Sequence, residues 1–172
     1  MGFLKPEIST LDVMEGVLPW AAPTPEEVHH SDQASQAAGG LDASLVLHEF
    51  FLLKAAVTGQ YAMGLLETLG MKREGIEQFH HLYASRLAEG LQTAFKGSGK
   101  EAVVHLASRL KGYDEALHRG HPEDPHLGLA DAFTRACGRA DDPALVSLCL
   151  DACRALNQKF MAEIKAFGLK TS

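Results

Sequence analysis

The run LVLHEFFLLKAAVTGQYAMGLL, Leu45 to Leu66, constrains the chain more than any other segment. It is long and apolar enough to raise the question of a membrane span. It also carries His48, Glu49, Lys54 and Gln60, and each charge at a bilayer centre costs about 2.5–3.5 kcal/mol. A helix buried in a soluble bundle is therefore the expected reading. A helix that is apolar around most of its circumference has to be covered on every side, so this one is expected to be central. Ala55, Ala56, Gly59, Ala62 and Gly64 would let its neighbours come close. Glycine is a weak helix former, so Gly59 and Gly64 point to packing or to clearance for a ligand.

The rest of the chain reads as more helices, because strand alternation and β-branched residues are scarce. Thr24-Pro25-Glu26-Glu27 opens a helix with a capping box and a proline at its first position, and Gly39-Gly40 ends it. Asp42 caps the central helix, which stops at Gly70. Further helices are expected from about Lys72 to Lys96, before Gly97-Ser98-Gly99, and from about Lys100 to Arg119, before Gly120 and Pro122. Asp124-Pro125 and Asp142-Pro143 open two more, ending near Gly138 and at Gly168. Ser9 or Thr10 caps a short helix ending before Pro19, and Trp20 with WAAPTP reads as an arm packed on the bundle. The expected architecture is an all-α, antiparallel bundle of about five main helices with an N-terminal arm. Residues 1–23 form that arm and 24–172 a single helical-bundle domain.

The 172 residues, 46% of them hydrophobic, suit one globular domain. A net charge of −6 with no basic block argues against nucleic acid as a partner. Cys137, Cys149 and Cys153 form no CxxC and are odd in number, which favours a reducing compartment. MGFLKPEIST lacks the apolar core of a signal peptide. A cytoplasmic location is the expectation.

One chemical suggestion comes from EGIEQFHHLYASRL, Glu74 to Leu87. Advancing about 100° per residue puts His80 inside an apolar face made by Ile76, Phe79, Tyr83, Leu87, Leu91 and Ala94, with Glu77 at its edge and His81 on the polar side. The same construction puts His48 on an apolar face and Glu49 on a solvated stripe with Asp42, Ala56, Gln60 and Glu67. It places Asp114 within the apolar face of its helix, His118 at the edge and His105 facing away.

Glu-x-x-His occurs at Glu26/His29, Glu77/His80 and Glu115/His118. Residues three apart are neighbours on a helix surface, so a carboxylate and an imidazole can grip one ion. The spacing resembles that of di-iron and di-manganese carboxylate bundles, which use two such pairs and two lone glutamates. The likeness extends only to these short motifs. A candidate metal set is therefore His80, Glu77, His48, Asp114 and His118. Each histidine also has a plain reading as a hydrogen-bonded residue at a helix interface.

The turn HRGHPEDPH, His118 to His126, gathers three histidines, but a helix C-terminus, a proline stop and an Asp cap account for it. Cys149 and Cys153 lie on the apolar face of the last helix and read as small core residues. No Gly-rich phosphate loop or GxSxG occurs.

Two functions remain open. One is a non-catalytic module that binds an apolar ligand or a partner helix between its own helices, with a homodimer or other homo-oligomer as its possible assembly. The other is an iron or manganese oxidase, or a haem-binding bundle, built on the inward histidines and carboxylates.

Overall fold

The computed structural model describes residues 9–95, 99–119 and 124–166 of the chain, with the side chains of 92–95, 99–103, 125 and 166 outside that description. Seven helices and no strand occur among the described residues: α1 (Thr10–Ala21), α2 (Pro25–Ala37), α3 (Ala43–Thr68), α4 (Arg73–Phe95), α5 (Gly99–Arg119), α6 (Pro125–Ala136) and α7 (Pro143–Ala166). None is long and apolar enough to cross a membrane.

The cap chemistry explains most boundaries. Thr24 and Glu27 make the expected capping box, with Thr24 N–H donating to Glu27 Oε2 at 2.7 Å and Glu27 N–H to Thr24 Oγ1 at 3.2 Å. Asp42, Asp124 and Asp142 accept from the first turns of α3, α6 and α7 through Oδ1. Gly70 closes α3 with φ +77°, where the next amide, Met71 N–H, returns to Leu66 O at 2.9 Å. A Cβ at that φ is strained, so glycine suits this helix end. The ends expected at Gly97-Ser98-Gly99, at Gly120 and Pro122, and at Gly168 lie at least partly outside the described residues.

The helix count differs from about five main helices because three short ones, α1, α2 and α6, join four long ones. At the N-terminus a second capping box, Ser9 with Asp12, starts α1, and the helix continues through Pro19 to Ala21. Pro19 removes one intrahelical donor and crowds the carbonyl four residues back, but it stands in the last turn, where few helical bonds lie beyond it. Val13, Met14, Val17 and Ala21 of α1 are buried in the common core.

The long apolar helix is central, as expected. It touches each of the other six helices. Val46, Phe50, Leu53, Val57 and Leu65 are buried along it, and Phe50 meets Phe133 of α6 edge-on at 6.3 Å. Tyr61 stacks on Phe160 of α7 at 4.8 Å.

Candidate cavity and buried charges

Neighbouring helices cover the middle of α3, so Glu49 and Lys54 there are buried, while Glu67 near its C-terminal end is exposed. Lys54 is 1% exposed. Its ammonium donates to Glu27 Oε2 at 2.6 Å and to Ala22 O at 3.1 Å, which ties α3 to the start of α2. Burial pushes the Glu27 carboxyl up, but hydrogen bonds from Lys54 and from Thr24 N–H outweigh this and hold it below its ordinary value. Burial also lowers Lys54, and Glu27 offsets part of that.

Glu49 is buried as well, which corrects its assignment to a solvated stripe. The helical wheel gave its direction along α3 correctly, but that direction is covered by α5. Glu49 Oε1 lies 3.0 Å from Arg109 Nη2, and its Oε2 accepts from Tyr113 Oη at 3.0 Å. Burial and the Glu49 charge push the Tyr113 phenol far up, so it stays a neutral donor. Next to this pair the His48 and His105 rings stand 5.5 Å apart. Burial holds the His48 imidazole below its ordinary value; Glu49 opposes this, while His105 and Arg109 add to it.

The three cysteines are buried. Burial raises Cys137 to about 12, and Cys149 is raised by its hydrogen bond with Cys153 and by burial. A thiol kept protonated in this way is a poor nucleophile.

A concavity lies between α3, α4 and α5, with a volume of about 770 Å³. Its origin is in the sequence. Ala55, Ala56 and Gly59 of α3 meet Ala84 and Ala88 of α4 and Ala107 of α5, so small side chains from three helices share the space. Larger apolar groups close the walls: Met63, Phe79, Tyr83, Leu106 and Leu110. Tyr83 crosses directly over Gly59, where an added Cβ would stand 3.0 Å from its Cε1. The Tyr83 hydroxyl donates to Ala55 O at 2.8 Å, and the ring stacks on Phe79 at 5.4 Å. Packing therefore explains Gly59. A Cβ on Gly64 would meet nothing within 4 Å.

The polar rim is where several of the proposed metal ligands lie. His80 and Asp114 both line the cavity. His80 is exposed rather than buried, because α4 buries a narrow stripe of Phe79, Tyr83, Leu87 and Leu91, and His80 stands one step round from it. His81 is exposed, as expected. Asp114 is half-buried and accepts a hydrogen bond from Gln60 Nε2. His118 is exposed, with Nδ1 2.9 Å from Asp114 O and 3.3 Å from its Oδ1. Glu77 faces solvent and pairs with Arg73 at 2.9 Å. His48 lies with His105, beside the Glu49 pair. Among the described residues no group of three or more His, Cys, Asp or Glu side chains is placed to hold a metal ion. In the HRGHPEDPH turn, Asp124 caps α6 and lies 3.2 Å from His126 Nδ1, whereas His121 falls outside the described residues.

Sequence reasoning misplaced Glu49, read as solvated, and His80, read as buried, and it assigned Lys54 no partner. The signal for the two charges was present: a helix apolar all round has no solvated side, so Glu49 and Lys54 had to find partners inside.

No family model, curated protein or solved structure matches this chain. The functional reading therefore rests on the cavity and its rim.

Proposed function

We propose that the protein is a non-catalytic binding protein that takes an apolar small molecule into the α3–α4–α5 cavity. The observation that carries this reading is a space of about 770 Å³ walled by small and apolar side chains. Small-molecule sites commonly measure about 300–1,000 Å³ and are mostly apolar, with a few polar groups that orient the ligand. A helical core normally fills such space, because interiors are close-packed. Here small side chains on three helices, Ala56, Ala84 and Ala107 among them, leave it unfilled.

The test is a titration with N-phenyl-1-naphthylamine, a neutral apolar fluorophore. One saturable site per chain is expected. Ala84→Phe and Ala56→Leu place bulk in the cavity and should each weaken binding about tenfold or more, with melting temperatures no lower than that of the parent chain. Absence of saturable binding, or filled variants that bind as well as the parent, would refute the proposal.

A further inference from the structure

The polar groups of the cavity are unevenly satisfied, and that asymmetry bears on the ligand; the argument rests on the cavity being a binding site. Glu89 on the rim is held by Arg86 at 3.0 Å. Lys111 is 77% exposed and faces Glu115 at 3.8 Å, so its charge is spread into solvent. Asp114 differs from both. Among the described residues no lysine or arginine pairs with it; its partners are the Gln60 amide and His118.

The orientation of Gln60 follows from its partner. A carboxylate only accepts, so the amide must present Nε2 to Asp114. Its Oε1 is thereby left as an acceptor, with no partner among the described residues. The cavity wall thus offers two neighbouring acceptors, one of them charged. A complementary head group donates several hydrogen bonds and carries positive charge. A primary ammonium does both.

We propose that the ligand is a hydrophobic amine. Its ammonium would bond to Asp114 and Gln60, and its apolar tail would lie along Ala56, Met63, Ala84 and Ala107. Among the lining residues, the one lysine or arginine that an anionic amphiphile could meet is Lys111, at the exposed edge, and the anion would stand against the Asp114 charge. A neutral amphiphile would gain the apolar walls without the charged contact.

The test compares decylammonium, decanol and decanoate, each below its aggregation concentration, by calorimetric titration into the full chain. Decylammonium is expected to bind one per chain and about tenfold or more tighter than the other two, as a charge-assisted hydrogen bond implies. Asp114→Asn should bring decylammonium to within about twofold of decanol, by lowering decylammonium affinity much more than that of decanol. Equal affinities for decylammonium and decanol in the parent chain, tightest binding by decanoate, or uptake of many decylammonium ions per chain would overturn the proposal. So would an Asp114→Asn chain that keeps the preference. If decanol binds once per chain in any of these cases, the cavity reading survives. If none of the three binds, the amine proposal fails, and the cavity reading fails with it only if the apolar fluorophore shows no saturable site either. The comparison in the parent chain decides the matter even where Asp114→Asn does not fold.

Discussion

Replacing Glu27 with alanine should destabilise the fold more than replacing its partner Lys54 with methionine, although each change breaks the same ion pair. The reason is the difference in burial: Lys54 is 1% exposed and Glu27 21%. Glu27→Ala strands a buried ammonium, which costs about 3–5 kcal/mol. It also removes the acceptor of Thr24 N–H, worth about 0.5–1.5 kcal/mol. Together these approach about 4–6 kcal/mol, against a whole-domain stability of about 5–15 kcal/mol. Lys54→Met leaves Glu27 with its Thr24 hydrogen bond and with access to water, and deprives Ala22 O of a donor. Its cost is about 1–2 kcal/mol. The double variant has no stranded charge and should be more stable than Glu27→Ala alone. Urea unfolding of the four proteins, followed by far-UV circular dichroism, measures this. Single variants within about 0.5 kcal/mol of each other, or a double variant less stable than Glu27→Ala, would refute the reasoning.

The Glu27 carboxyl is held below its ordinary value of 4.5, so its stabilising share is present in full above that value and is lost as pH falls through the lower folded value. Urea midpoints of the parent should therefore fall more steeply on acidification than those of a Glu27→Gln, Lys54→Met chain; parallel curves would contradict this. Gly59→Ala drives a Cβ to 3.0 Å from a Tyr83 ring held by its hydrogen bond to Ala55, and a net loss of about 1–2 kcal/mol is expected even after the gain in helix propensity. Gly64→Ala meets nothing and should stabilise by up to about 1 kcal/mol; thermal melts of the two should move in opposite directions. All three cysteines should resist Ellman's reagent in the folded chain and react after unfolding, and rapid native labelling of any of them would contradict their burial.

Helix boundaries were legible because they are local: Thr24 with Glu27, Asp42 before α3, and Gly70 after it act within a few residues of themselves. The central place of α3 was legible too, since an apolar circumference leaves no solvated side. What one helix meets on another was not. A wheel puts His80 inside the apolar face of α4, but only the neighbouring helices decide that the face closes over Phe79 and stops short of His80. Glu49 shows the same limit in reverse, because α5 supplies Arg109 and Tyr113 from beyond any local pattern. The cavity was half visible: the small residues of α3 stood out, while their opposition to Ala84, Ala88 and Ala107 depends on helix packing.

The contact of α3 with all six other helices also sets an order of events during synthesis. Its first two partners precede it, but α4 to α7 follow, and α7 ends about 100 residues later. At roughly 5–20 residues per second, α3 emerges about 5–20 s before its last covering helix is made. During that interval the most apolar segment of the chain is a sticky surface on a nascent polypeptide. Its own Glu49 and Lys54, which end up as interior ion pairs, are then the groups that keep it wetted.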